Sequence, residues 1–189
     1  MNKITKTLLA FLLAFFGFLY PSIAQKVYKV DIKDEIGPNA WRTIDIGYKE
    51  AKAVGASTFL IELNTFGGAV NFADSIRSKL LSADIKTLVF VNNNAASAGA
   101  LISLAADDIY MHKGGSLGAA SVVNENGEIM PEKYQSYMRG LMRATAEAKG
   151  RNPKIAEAFV DAEVSIPALK PDGKLLTLTA SEAVKAGLV

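Results

Sequence analysis

The stretch that decides the fold is VNNNAASAGALISLAADDIYM, residues 91–111. It continues an apolar, β-branched run from Thr87 to Val91, which is typical of a buried strand. A tight connection from Asn92 to Ala96 leads to an Ala-rich helical segment, Ser97 to Ala106, whose small side chains permit close packing. Ile109 to Met111 is a further short strand. The order predicts a strand–helix–strand unit with Ser97 at the strand-to-helix turn.

Two similar units precede this stretch. Val27 to Ile32 alternates apolar and polar residues as a half-buried strand does, and Thr58 to Leu63 is a second strand that ends at a Gly67-Gly68 turn. Apolar residues at helical spacing follow each strand: Trp41, Ile44, Tyr48 and Ala51 after the first, and Phe72, Ile76 and Leu80 after the second. Strands that alternate with helices predict an α/β fold with a mainly parallel sheet flanked by helices.

Downstream, Gly114 to Gly118 is predicted to be a glycine-rich loop and Ala119 to Val123 a short strand. Pro131 opens a long amphipathic helix as a first-turn proline, and Gly150 closes it as a C-terminal cap. Ser181 is expected to cap the last helix. Because that helix stops where another strand is expected, the domain is predicted to be part of something longer.

Composition limits the chemistry. With 189 residues, half of them hydrophobic, the chain is expected to form one globular domain. The absence of cysteine excludes disulfides, thiolate metal sites and a cysteine nucleophile, and we expect neither a metal nor a cofactor. Without Lys3 and Lys6 the 19 basic residues equal the 19 acidic ones, so nucleic-acid binding lacks an electrostatic basis.

Residues 1–24 are predicted to be a signal peptide. Lys3 and Lys6 precede the apolar run Leu8 to Leu19, and small residues end at Ala24. The run is shorter than the roughly 20 residues that a membrane-spanning helix needs. We therefore expect an exported domain, residues 25–189, in the periplasm or another extracytoplasmic space.

Ser97 is the candidate nucleophile. It is followed by Ala98 and Gly99, which gives the second half of a nucleophile elbow, although Ala95 replaces the usual first glycine. The N–H of Ala98 and one from the Gly67-Gly68 turn would form an oxyanion hole, because turns after neighbouring parallel strands meet at one sheet edge. The alternative is that Ser97 is only a helix N-cap.

The combined segments resemble the Clp-class serine proteases of the ClpP/crotonase superfamily. The resemblance is strongest to the N-terminal protease domain of NfeD-type membrane proteins, which are partners of stomatin-like proteins. Its carriers are LNTFGGAVNFADSIRSKLL (63–81), VNNNAASAGALISLAADDIYM (91–111), GGSLGAASVV (114–123), YMRGLMRATAEAKGRN (137–152) and TASEAVKAGLV (179–189). The resemblance implies a ClpP/crotonase-like fold of repeated ββα and βα units over about residues 27–189.

The same resemblance implies roles for individual residues. Ser97 would be the nucleophile, with Gly68 and Ala98 as oxyanion donors. The groove for an extended peptide would be built from Phe66, Gly67, Val70 and Gly118, and Phe66 replaces the proline expected before the glycine pair. The implied activity is that of a serine endopeptidase that cleaves hydrophobic segments of membrane-associated, stomatin-like proteins.

The resemblance also implies partners and further domains. It suggests a homodimer or a higher homo-oligomer that is associated with a membrane. Relatives carry membrane spans and a small β-barrel domain after this region, and residues 25–189 are expected to contain neither.

The general base is the open point. His112 is the only histidine, and the family offers no catalytic histidine there. Counting along the long helix places Arg143 at the position of the family lysine, yet arginine stays protonated and would only orient the substrate or the oxyanion. The base would then be Lys133 in apolar surroundings from Tyr134, Tyr137 and Met138, or Lys149, or neither.

Two other functions would use the same backbone N–H groups and the same groove. A crotonase-type enzyme would bind an acyl-CoA thioester in the same hole, but export separates it from coenzyme A. A non-catalytic peptide-binding or scaffold module would keep the groove without a base, and Arg143 favours this alternative. Both leave Ser97 unmodified by a fluorophosphonate, whereas a serine peptidase is labelled.

Overall fold

The computed structural model describes residues 2, 4, 25–167, 169 and 173–189. The predicted signal peptide, residues 1–24, lies outside the described residues apart from 2 and 4. The strands in the described part are β1 (Val27–Ile32), β2 (Thr58–Thr65), β3 (Lys86–Ala96), β4 (Asp108–Met111), β5 (Ser116–Gly118) and β6 (Thr177–Thr179). The helices are α1 (Pro38–Ala53), α2 (Val70–Leu81), α3 (Ala98–Ala105), α4 (Glu132–Ala148), α5 (Pro153–Ala158) and α6 (Ala180–Lys185).

The strands form one mostly parallel sheet, which confirms the predicted fold class. Its order is β1-β2-β3-β5-β6, and β4 pairs with β3 as well. All pairings are parallel except that of β5 with β6. The first half of β3 pairs with β4 along Leu88 to Val91, and its last residues, Asn94 to Ala96, pair with β5. This division of β3 between two partners brings β5 to the end of the strand that leads into Ser97.

The structure corrects three boundaries in this region. Residues 92–96, predicted to be a connection, are the end of β3. The predicted glycine loop contains β5 at Ser116–Gly118, whereas Ala119 to Val123 is not a strand. The physical reason is the backbone of Ala119, whose φ of 45° turns the chain out of the sheet.

The structure also corrects the predicted N-terminal caps of α6 and α4, and it confirms the predicted C-terminal glycine of α4. The capping residue of α6 is Thr179 and not Ser181, and its hydroxyl pairs with Glu182 in a capping box. Pro131 is the N-cap of α4, one residue before the helix begins. Gly150 follows the helix with φ 68°, as a C-terminal glycine should.

One face of the sheet carries the core. Its buried apolar side chains come from alternate positions of the first four strands: Val30, Ile32, Phe59, Ile61, Leu63, Val89, Val91 and Ile109. All eight residues of α3 are buried. A Cβ atom on Gly99 would lie 2.7 Å from Cγ2 of Thr65, so the helix can approach β2 this closely only with glycine there. The small side chains of α3 are therefore required by its packing.

Arg151 closes the other end of α3. Its guanidinium donates to the carbonyl oxygens of Leu104 at 3.1 Å, Ala106 at 2.8 Å and Asp107 at 2.9 Å. Burial lowers the pKa of Arg151 from its usual value, and the nearby carboxylates of Asp108 and Asp107 oppose that shift. The arginine thus satisfies carbonyl groups at the C-terminal end of α3 that the helix itself leaves unpaired.

We predict that Arg151→Met destabilises the domain. The change leaves three carbonyl groups without their charged donor, and a hydrogen bond to a charged group contributes about 1.5–3 kcal/mol. We expect a fall in the melting temperature of roughly 4–8 °C for a domain of this size. Thermal unfolding followed by circular dichroism measures it, with Lys154→Met as the matched control, because Lys154 is exposed. Equal melting temperatures for the two variants would contradict the prediction.

Candidate functional site

Ser97 lies between β3 and α3 in a strained conformation. Its φ of 53° and ψ of −117° are rare for a residue with a side chain, and such a conformation costs about 1–3 kcal/mol. The backbone N–H of Ser97 donates to the carbonyl oxygens of Gly118 at 2.9 Å and Ala119 at 3.1 Å. The hydroxyl caps no helical N–H and bonds to none of the described residues. Ser97 therefore occupies the N-cap position of α3, but its side chain does not cap the helix.

The Gly67-Gly68 turn lies directly against Ser97. A Cβ atom on Gly67 would be 2.7 Å from Cβ of Ser97, so only glycine fits. The turn is fixed from its other side by Ile36, whose N–H donates to the Gly67 carbonyl at 2.8 Å and whose carbonyl accepts from the Ala69 N–H at 2.8 Å. These bonds leave the N–H of Gly68 without an acceptor in the described part of the chain.

A second unpaired N–H belongs to Ala98. It is the first residue of α3, where a helix leaves its N–H groups free and carries its positive end. No carbonyl among the described residues accepts from it. Gly68 lines the same cavity as Ser97, and Ala98 follows Ser97 directly in the chain, so the oxyanion hole that the sequence predicts from their N–H groups stays a prediction.

The Ser97 cleft is a cavity of about 540 Å³ beside these groups. Its lining residues are Glu35, Phe66, Gly68, Ala69, Val70, Ser97, Ala119, Ala120, Ser121, Val122, Val123, Asn124, Glu125 and Met138. The predicted groove residues Phe66 and Val70 are among them, while Gly67 and Gly118 contact Ser97 from outside the lining. The charged groups of the lining are Glu35 and Glu125, and no lysine, arginine or histidine of the described chain belongs to it.

Lys133 lies beside this cleft. It is exposed on the first turn of α4, with its ammonium nitrogen 5.0 Å from the centre of the Tyr134 ring. It lines a second cavity of about 620 Å³, the tyrosine cavity, together with Val70, Asn71, Asp74, Val122, Tyr134 and Tyr137. Val70 and Val122 line both cavities, so the two are neighbours.

The other candidate bases lie elsewhere. The Arg143 guanidinium donates to the Glu157 carboxylate, and the Lys149 amine pairs with Asp107 at 2.5 Å. The Nδ1 atom of His112 accepts the Gly114 N–H at 3.3 Å. None of these three lines either cavity.

Arg143, expected from the sequence to orient the substrate or the oxyanion, therefore does not line the Ser97 cleft, and neither does Lys133. The residue of α4 that lines it is Met138, which is only 4% exposed. Arg143 is five positions further along, which turns its side chain by about 140° around the helix axis. Lys133 is five positions before Met138 and is turned by the same angle in the other direction, toward the tyrosine cavity.

Several cleft residues escape prediction from the sequence. Glu35 comes from the loop after β1, which enters the site because Ile36 bridges to Gly68. Val122 and Met138 lie in segments for which the sequence predicts only a strand and the apolar face of a helix. The glycine at position 118 is the one sequence feature that marks this part of the cleft. Gly118 has φ 138°, and a Cβ atom there would be 2.5 Å from the Leu176 carbonyl oxygen. A glycine required at this point marks where the chain leaves the sheet and enters the cleft.

Two findings bear on metals and membranes. The described residues contain no group of three or more His, Cys, Asp or Glu side chains that could hold a metal ion. Within the same residues, every helix is too short or too polar to cross a bilayer.

Comparison with known proteins gives relatives that include named proteases. The membrane protein NfeD1b of Bacillus subtilis is 33% identical over 180 residues, which is 94% of this chain and 41% of that protein. The membrane-bound protease PH1510 of Pyrococcus horikoshii is 30% identical over 171 residues, 86% of this chain and 36% of that protein. The chain therefore spans about two-fifths of the length of these curated relatives.

Solved structures support the same assignment. A variant of the 1510-N membrane-bound stomatin-specific protease, solved with a substrate peptide, has a TM-score of 0.76 at 29% identity, covering 88% of this chain and 75% of that one. ClpP1 from Listeria monocytogenes has a TM-score of 0.65 at 20% identity, covering 86% and 88%, which shows the shared fold. The NfeD1b N-terminal domain model matches residues 26–189. The chain therefore belongs to the NfeD1b N-terminal domain family.

Proposed function

We propose that this domain is a serine peptidase that acts on an extended peptide segment in the Ser97 cleft. The observation that carries the proposal is a strained serine whose hydroxyl is free, beside two N–H groups that have no other acceptor in the described chain. The Ser97 oxygen attacks a peptide carbonyl carbon, and the N–H groups of Gly68 and Ala98 bind the oxyanion that forms. The C–N bond then breaks, leaving an acyl-enzyme that water hydrolyses.

The reaction needs a group that takes the serine proton and returns it to the leaving amine. We propose Lys133 for this step, because it lines the cavity that shares Val70 and Val122 with the Ser97 cleft, and because its side chain is long and flexible. A peptide that fills the cleft would exclude water, and a desolvated lysine is a known serine base. In a relative, a lysine-to-alanine variant was the form solved with a substrate peptide.

The rim of the two cavities favours an apolar substrate. Phe66 at the mouth of the Ser97 cleft is 82% exposed, and Tyr137 in the tyrosine cavity is 56% exposed. Val123, Ile129 and Tyr134 add further exposed apolar surface. Exposed apolar groups gathered at one site mark a binding surface. We propose a hydrophobic segment of a membrane-associated protein as the substrate, and a stomatin-like protein as its source, since the similar 1510-N protein is a stomatin-specific protease.

The cellular location and the assembly of the domain are part of the same proposal. We propose that residues 1–24 act as a signal peptide and that the domain works outside the cytoplasm, near a membrane. Its relatives are named membrane or membrane-bound proteins, which supports membrane association. The proposed assembly is a homodimer or a higher homo-oligomer.

A second candidate function is peptide binding without hydrolysis. It is favoured by one observation: in the described chain, no basic side chain lines the Ser97 cleft. Such a module would hold a peptide carbonyl in the same hole but would not be acylated. The two functions therefore differ in the reactivity of Ser97 toward an electrophile.

We predict that a fluorophosphonate labels the wild-type domain at Ser97, because the oxyanion hole stabilises the phosphonyl adduct as it does the acyl intermediate. Ser97→Ala should abolish labelling and the cleavage of an apolar, extended test peptide. Mass spectrometry of the labelled peptide identifies the residue, and Ser103→Ala is the control, since Ser103 is buried and bonded to Gly99 within α3. A wild type that binds the peptide but resists the label would favour the binding module.

We predict that Lys133→Ala lowers kcat by about 10²–10⁴-fold, the usual contribution of a general base. Lys133→Arg should be equally inactive, because arginine does not lose its proton. Lys149→Ala is the comparison, because the Lys149 amine is held by Asp107. Full activity of Lys133→Ala would exclude Lys133 as the base.

A further inference from the structure

Gln135 makes three hydrogen bonds beside the Ser97 cleft. It is 7% exposed on the first turns of α4. Its Oε1 accepts the N–H of Val122 at 2.9 Å, and its Nε2 donates to the carbonyl oxygens of Val122 at 2.7 Å and Met130 at 3.1 Å. One side-chain amide therefore satisfies both backbone groups of Val122, as a neighbouring strand would.

These bonds lie at the base of a loop that belongs to the cleft. The Met130 N–H also donates to the Val122 carbonyl at 3.0 Å, and Val123 and Ile129 form an antiparallel bridge just beyond. Gln135 thus joins both arms of the loop to α4. At Val122 the side chain of Gln135 bonds to both backbone groups, and the Met130 N–H shares the carbonyl, so both backbone groups of Val122 are paired.

The segment from Ala119 to Val122 is held at its N-terminal end by the backbone of Ser97. The carbonyl oxygens of Gly118 and Ala119 accept the N–H of Ser97, and the Ala120 N–H donates to the Phe159 carbonyl at 2.7 Å. From Ala119 to Val122 the chain makes three residue steps, which span at most about 11 Å. A short, doubly anchored segment therefore links the backbone of Ser97 to Gln135.

Lys133 lies two residues before Gln135 on the same turn of α4. Val122, the residue to which Gln135 bonds, also lines both the Ser97 cleft and the tyrosine cavity of Lys133. Any shift of α4 relative to residues 119–122 would change the separation of Lys133 from Ser97. A misplacement of about 1 Å can reduce a catalytic rate 10²-fold.

We propose that Gln135 is a positioning residue for catalysis, which sets the position of Lys133 relative to Ser97 by fixing α4 to the backbone of Val122. The inference rests on the proposed peptidase function and on Lys133 as its base. Gln135 touches neither substrate nor reacting atoms in this role, since its amide is used by the backbone of Val122 and Met130.

A double-mutant cycle separates positioning from a general loss of structure. Gln135→Met keeps the length of the side chain and removes its hydrogen bonds. It is prepared in the wild-type domain and in Lys133→Ala, and the second-order rate of Ser97 labelling by a fluorophosphonate is measured in each. Ser136→Ala, at a neighbouring exposed position of α4, is the control. Thermal unfolding measures the stability of every variant.

We expect Gln135→Met to slow labelling at least tenfold in the wild-type background and less than twofold in Lys133→Ala, because a misplaced base matters only where the base is present. An equal loss in both backgrounds, or no loss in the wild type, would overturn the inference while leaving the peptidase function standing. A wild type that is not labelled at all would overturn the peptidase function, and this inference with it. If Gln135→Met does not fold, Gln135→Asn, whose amide is one methylene shorter, goes through the same cycle with the same criteria.

Discussion

The site depends on one backbone interaction, the donation of the Ser97 N–H to the carbonyl oxygens of Gly118 and Ala119. A serine at φ 53° would relax to a more favourable conformation unless its surroundings opposed the change. The two carbonyls belong to the end of β5 and the turn after it. Because β3 pairs with β4 along its first half and with β5 at its end, the sheet itself supplies these acceptors. The topology of the sheet therefore determines how the nucleophile is presented.

The proposed oxyanion hole depends on the same constraint. Ser97 is held close to the Gly67-Gly68 turn, and that turn is anchored in its own right by Ile36. Two loops that are distant in sequence are thereby fixed against each other before any substrate arrives. Such preorganisation is what makes backbone donors effective, since they need not reorient as charge develops. The part of the site that α4 contributes is less constrained, because the side chain of the proposed base, Lys133, is exposed.

The sequence can indicate Ser97, Gly68 and Ala98 as candidate site residues because their placement depends on local backbone chemistry. A serine after one strand and a glycine pair after the preceding strand are informative together, since neighbouring parallel strands bring both turns to one sheet edge. The α4 residues are harder to predict, since their position depends on how the helix packs on the cleft. Counting along the helix suggests Arg143, but the packing of Met138 into the cleft turns Arg143 away toward Glu157. The strand predicted over residues 119–123 is wrong for a local reason, because the positive φ of Ala119 turns the chain out of the sheet.

The complete burial of α3 has a consequence for how signatures of this fold are interpreted. Gly99 is required by the approach of α3 to Thr65, and Gly67 by the approach of its turn to Ser97. These glycines would be retained by a domain that no longer hydrolysed anything, because their replacement would disturb the sheet and helix themselves. The Ser-Ala-Gly and Gly-Gly motifs thus reflect the architecture of the backbone. Evidence of chemistry must come from groups that the fold does not need, and the proposed function uses two of these, the hydroxyl of Ser97 and the amine of Lys133.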